Sequence, residues 1–183
     1  MKNKITAFLL FLLACCSSGC AAFSQAGDWY RMSIDDIQQR RPYFAILNLK
    51  NILKEYPKSP YAPKAAFAIG EYYFDNGDYY NAIKTLSDYI RCYPDDKGVV
   101  FAKLIVYKII INFKKEGAIN KQQDALIKEI RKELFSEPLF LIFYDKKSPR
   151  SYQSIFSNSY LVYDYIDKIK VFRNDKDFIE LTP

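Results

Sequence analysis

The residues best equipped for chemistry in this 183-residue chain are its four cysteines, and no histidine accompanies them. Without imidazole, the commonest general acid–base group and the commonest metal ligand are missing. Ser-His catalysis and His-containing zinc motifs are thereby excluded. The glycines do not cluster as a phosphate-cradling loop. Asp95 and Asp96 form a carboxylate pair, but adjacent acids ahead of an apolar helical run suit the capping of a helix N-terminus. Asp164, Asp167, Asp175 and Asp177 lack EF-hand spacing and the Gly and Glu that complete such a loop, so they read as solvated turn carboxylates. None of these groups implies a cofactor or a metal.

Cysteine chemistry is concentrated at the N-terminus. Met1 to Lys4 is basic, and Ile5 to Ala14 is apolar but too short to span a bilayer. Leu12-Leu13-Ala14-Cys15 matches a bacterial lipobox, in which a small residue precedes the Cys that receives diacylglycerol. Cys20 is a second candidate, with Ser17 where Leu is preferred; a secretory signal cut after Gly19 or Ala22 without lipidation is the third reading. Residues 1–14 are expected to be a lipoprotein signal peptide, and 15–27 a flexible tether of small and polar residues. Cys16 rather than Asp follows the anchor, so the usual inner-membrane retention signal is missing. An outer-membrane lipid anchor facing the periplasm is the expectation. Cys16, Cys20 and Cys92 have neither a disulfide framework's arithmetic nor a zinc site's spacing, and Cys92 reads as a small, partly buried residue.

Half of the residues are apolar and 17% aromatic, enough for a sizeable core. The formal charge of +6 falls to +4 if Lys2 and Lys4 leave with the signal peptide. This excess permits contact with anionic lipid or acidic partners. No basic stripe or nucleic-acid motif accompanies it, so a nucleic-acid partner is not expected, and no small-molecule substrate is evident.

The elements that organise the chain lie between Tyr56 and Pro94. Small and apolar residues Ala66, Ile69, Gly70 and Tyr73 fall on one helical face. Asn76-Gly77 stops that helix, and Asp78 caps a second one carrying Tyr79, Ala82, Ile83, Leu86, Tyr89 and Ile90 before Pro94. Gly70 is expected to face Ala82, because helices approach closely only where side chains are small. Ala45 and Ala82, like Pro57 and Pro94, stand 37 residues apart, so the second half of the pattern occurs twice. A helix over Trp29–Arg41 has Trp29, Met32 and Ile37 as its apolar residues. Beyond Asp96, one helix carries Phe101, Leu104, Ile105, Ile109 and Phe113, and a polar one follows over Gln122–Leu134. From Pro138 the pattern changes: Leu139–Tyr144 suits a buried strand, Asp145–Arg150 a loop, Tyr160–Phe172 strand, Arg173–Asp177 a turn and Phe178–Leu181 a last strand.

Gly70, Tyr73, Gly77, Tyr79, Ala82, Leu86 and Pro94 stand in the order and at the spacing of a tetratricopeptide (TPR) repeat. The junction YPKSPYAPKAAF resembles that of the BamD-like outer-membrane lipoproteins, and the resemblance covers roughly residues 29 to 115. It implies a mainly α fold with a short TPR-like solenoid over 28–137; the β-rich appendage expected over 138–183 is read from its own residues and departs from that family. The first repeat departs from the pattern, with Ser33 where Gly or Ala is expected and Asp36 where an aromatic is. In such stacks the first helices line a protein-binding groove. Carried over, the groove positions are Lys64, Phe67, Glu71 and Phe74, then Phe101, Leu104, Lys108 and Asn112. Lys64 and Glu71 share a broad face with the two phenylalanines, and their charges argue that this face meets water.

The resemblance implies a lipid-anchored, non-enzymatic scaffold that binds another envelope protein, with outer-membrane protein assembly as one possible setting and a pilot role for a secretion or pilus component as another. An envelope enzyme using Asp, Tyr or Ser in the C-terminal segment is the reading from a different class; carboxylates converging in a pocket would favour it. The anchor is directly testable: Cys15→Ser should abolish incorporation of radiolabelled palmitate. Undiminished labelling, lost instead in Cys20→Ser, moves the anchor to Cys20.

Overall fold

The computed structural model describes residues 25–117, 119–136, 150–165 and 168–182. Cys15, Cys16, Cys20 and the Leu139–Tyr144 run lie outside these residues. The fold is mainly α, with a small antiparallel sheet at the C-terminal end. Helix α1 covers residues 25–38. It is followed by α2 (Pro42–Glu55), α3 (Ala62–Asp75), α4 (Tyr79–Cys92), α5 (Val99–Lys115) and α6 (Lys121–Ser136). The strands are β1 (Arg150–Gln153), β2 (Ser159–Asp164), β3 (Ile169–Arg173) and β4 (Lys176–Leu181). The chain divides into two compact units between Ala65 and Ala66.

The departures of the first repeat from the TPR pattern have local explanations in the first unit. Ser33 is fully buried, and its Oγ donates to the Tyr30 carbonyl at 2.6 Å, so a small polar residue fills the site without an unpaired hydroxyl. Asp36 accepts from Asn48 Nδ2 at 3.1 Å and pairs with Arg41 at 2.7 Å, tying α1 to α2 by charge instead of by an aromatic ring. Met32, expected among the apolar contacts of α1, is half exposed; Ala26, Ser33 and Asp36 form the buried side.

Two turns are repeated 37 residues apart. Tyr56 (φ −134°, ψ 55°) and Tyr93 (φ −133°, ψ 56°) end α2 and α4 in the same conformation. The proline after each excludes the helical region for the residue before it. Ser59 and Ala62 then close the turn by donating to the carbonyls of Tyr56 and Ser59, as Asp96 and Val99 do to those of Tyr93 and Asp96. Gly77 takes φ 74° at the end of α3, where its N–H bonds the Phe74 carbonyl and that of Asp78 the Tyr73 carbonyl. Asp78 then caps α4 through Asn81 N–H at 3.3 Å.

In the second unit the space beside Gly70 is taken by Leu86. A Cβ at Gly70 would overlap Leu86 Cδ2 and Cγ, and Ala82 is fully buried on the same helix, α4. The close approach expected at Gly70 is therefore real, but a large side chain fills the space. Helix α5 is buried on almost every side and packs between α4 and α6. Asn120 opens α6 with a reciprocal capping pair to Gln123, at 2.9 and 3.0 Å. Cys92 is exposed, against the expectation of partial burial.

The sheet is a meander in the order β1-β2-β3-β4. Strand β1 starts at Arg150, the last residue of the expected loop, and continues through residues given no assignment; it is held by pairing Ser151 with Leu161 and Tyr152 with Tyr160 rather than by any alternation of its own. The β3–β4 turn shrinks to Asn174 (φ 51°) and Asp175 (φ 60°), residue types that tolerate the left-handed pair a tight hairpin needs. A bulge at Phe178 breaks the register between Val171–Ile179 and Phe172–Asp177.

Gly70→Ala should cost about 1–3 kcal/mol through overpacking against Leu86. A thermal melt unchanged from the parent protein would mean that α3 and α4 separate freely at this point.

Candidate functional site

Helices α3 and α5 carry most of the groove positions, and much of that face is already occupied by the chain itself. Phe67, Glu71, Phe101 and Leu104 are all 2% exposed or less. Tyr152 of β1 lies 4.7 Å from the Phe67 ring and 5.5 Å from the Phe101 ring. Tyr160 of β2 lies 6.1 and 5.6 Å from the same two rings. The expectation that this face meets water is corrected for these four residues: the inner side of the C-terminal sheet covers it.

The charge that argued for exposure is matched internally. Tyr160 Oη donates to Glu71 Oε1 at 2.5 Å, and Arg173 Nη2 reaches the same oxygen at 3.3 Å. Arg173 also makes a two-pronged contact with Asp75, at 2.6 and 2.7 Å. Its guanidinium sits 5.6 Å from the Phe74 ring and 5.4 Å from the Tyr160 ring. Asn174, in the β3–β4 turn, donates to Asn158 at 2.7 Å, and Asn158 in turn approaches Asp75 at 3.5 Å. The result is a polar lock between the end of α3 and one end of the sheet.

Burial raises the Glu71 pKa above the usual carboxylate range, while its contacts with Ser154, Tyr160 and Arg173 pull the other way. Burial also pushes the Tyr160 phenol well above its ordinary value, and the Glu71 carboxylate adds to this. Tyr160 is therefore a proton donor held on a carboxylate, the polarity this lock requires.

The remaining groove residues lie differently. Lys64 belongs to the first unit, exposed, with its ammonium 5.9 Å from the Tyr30 ring. Phe74 is half-buried and joins an aromatic cluster: its ring is 6.1 Å from Tyr79 and 5.9 Å from Phe178, and Tyr79 is 5.7 Å from Phe113. Lys108 donates to the Phe178 carbonyl at 2.6 Å, and Asn112 is exposed on the next turn of α5. Thus Phe74, Lys108 and Asn112 mark the accessible end of the face, together with Tyr79, Phe113 and Phe178. Phe178 escaped the sequence reading because only the β3–β4 hairpin and its bulge bring it to α3 and α5.

Among the described residues there is no cluster of acidic, His or Cys side chains able to hold a metal, and no helix is long and apolar enough to cross a membrane. The architecture defines a helical-repeat protein with a C-terminal sheet seated on its first-helix face. The family profile YfiO, outer membrane lipoprotein, matches residues 24–134, about three fifths of the chain, and the chain belongs to that family. Comparison with curated proteins and with solved structures gives no match. The match ends before β1, so the sheet that covers the groove lies outside it.

Arg173→Met should destabilise the protein by about 3 kcal/mol at neutral pH, because it leaves Glu71 as an uncompensated buried carboxylate. The folded chain holds the Glu71 proton more tightly than the unfolded chain does, whose pKa is near 4.5. Stability from this group therefore falls as pH rises above that value and recovers on acidification. The deficit of Arg173→Met relative to the parent should shrink as pH is lowered toward 5 in paired denaturant titrations. A deficit that is constant with pH would show that Glu71 does not depend on Arg173.

Proposed function

We propose that this outer membrane lipoprotein is a non-enzymatic scaffold, anchored through Cys15 and facing the periplasm, that binds another envelope protein at the accessible end of its first-helix face. The observation that carries this reading is the half-exposed aromatic cluster of Phe74, Tyr79, Phe113 and Phe178, edged by Lys108 and Asn112. Rigid rings with a charged and an amide neighbour are the composition of an interface core and its rim. Family membership supports an envelope setting, and the BamD-like resemblance makes outer-membrane protein assembly the first process to examine.

The buried carboxylate gives no comparable support to an enzyme. Glu71 has the raised pKa a general acid would need, yet it is shut off from solvent and engaged by Tyr160 and Arg173. This arrangement suits a structural lock.

A photoreactive side chain at Asn112 should give a discrete protein adduct in intact envelopes. Tyr79→Ser should lower the adduct yield about tenfold or more, since truncating an aromatic hot spot costs about 2 kcal/mol of binding. Its thermal midpoint is to be read in parallel and should stay close to that of the parent. If Asn112 gives no adduct while the exposed Lys84 of α4 does, the interface lies on α4 and this assignment fails.

A further inference from the structure

Helix α2 in the first unit exposes an apolar face that the proposed protein interface does not use. It buries Ala45, Ile46, Leu49 and Ile52, as an amphipathic helix should. Its other side begins with Tyr43, Phe44 and Leu47, which are 64, 54 and 41% exposed. These positions lie within one helical turn of each other, and the Tyr43 and Phe44 rings meet edge-on at 5.9 Å, so the exposed apolar surface is continuous. Basic residues frame it. Arg40 and Arg41 precede the helix, and Lys50 and Lys54 continue along its exposed side. Arg41 also pairs with Asp36 and Lys54 with Glu55, so each cation keeps an internal contact as well as its exposure.

Charge is distributed unevenly between the two units. Residues 25–65 hold seven basic and four acidic side chains, a net +3, whereas residues 66–183 hold eighteen and seventeen, a net +1. Most of the excess positive charge outside the leader therefore accompanies the apolar face of α2.

We infer that the outer face of α2 seats on an anionic phospholipid surface, with Tyr43, Phe44 and Leu47 at the level of the headgroups and Arg40, Arg41, Lys50 and Lys54 against their phosphates. Aromatic and aliphatic side chains framed by cations are the composition of an interfacial helix. Each cation near such a surface adds to the attraction. The inference rests on the proposed anchor. Nine residues, 16–24, separate Cys15 from the start of α1 at residue 25, a reach of at most about 35 Å. The 14 residues of α2 span about 21 Å, so the tether is long enough for the helix to lie on the membrane that holds it. A protein partner for this face would have to be acidic and concave. The membrane that would hold the anchor lies within that reach, and phosphate headgroups match the charge of this face, which is why lipid is the occupant we assign.

The test uses the lipidated full-length protein reconstituted into phosphatidylethanolamine–phosphatidylglycerol vesicles carrying acyl-brominated lipid. Phe44→Trp and Tyr163→Trp are compared, each in a Trp29→Phe background so that only one indole emits. Tyr163 lies on the outer side of the sheet and serves as the control. Fluorescence of Phe44→Trp should be quenched about twofold or more, as for a side chain at the headgroup–acyl boundary. Replacing phosphatidylglycerol with phosphatidylcholine should weaken the quenching, and Tyr163→Trp should remain unquenched. Circular dichroism melts establish that both variants fold. A chain that fails to float with the vesicles refutes the anchor and the seating together. A chain that floats, but whose Phe44→Trp emission is quenched no more than that of Tyr163→Trp, refutes the seating alone.

Discussion

A single carboxylate sets the terms for the second unit. Glu71 is fully buried on α3, where an unpaired charge would be prohibitive, and its partners come from far along the sequence: Tyr160 on β2 and Arg173 at the end of β3. The helix cannot bury this residue by itself, and the sheet cannot hold Arg173 without a carboxylate to receive it. Each element resolves the electrostatic problem of the other. Asp75 makes the arrangement tolerable by giving Arg173 a second, partly solvated partner, so the guanidinium is never dependent on Glu71 alone.

The same contact explains why the sheet sits where it does. The rings of Phe67 and Phe101 are too large to stay in water; Tyr89 of α4 meets the Phe67 ring at 5.8 Å, and Tyr152 and Tyr160 of the sheet complete the cover of both. Apolar area gives most of the adhesion, since it is non-directional and scales with burial. The polar lock fixes the register, because only one placement of β2 and β3 brings a phenol and a guanidinium to the same oxygen. Lys108 and Arg131 add two further ties, through the carbonyls of Phe178 and Thr182. A face that a helical-repeat protein ordinarily offers to a partner is thus filled mainly by its own chain. The surface left for a partner is an edge of aromatic rings.

The sequence by itself determined the helical repeat and its punctuation. Prolines after Tyr56 and Tyr93, Gly77 at the end of α3 and Asp78 at the start of α4 act through local sterics and short-range hydrogen bonds, so their effects are legible without knowing what packs on them. Strand character over Tyr160–Phe172 and in β4 was legible for a similar reason, from β-branched and aromatic residues, but the division of the first stretch into antiparallel β2 and β3 was not. Strand β1 was not: its four residues carry no pattern, and it becomes a strand only by pairing with β2. The fate of the groove was equally out of reach. Glu71 reads as exposed because isolated charges avoid the interior, a rule that fails only when a matching group arrives, and here that group is 102 residues away. The filling of the space beside Gly70 by Leu86 has the same origin, since spacing along two helices gives their faces but not the rotation at which they meet. Local chemistry therefore determined the elements, while the tertiary structure alone decided which charges were paired, which aromatics were covered and what surface remained for a partner.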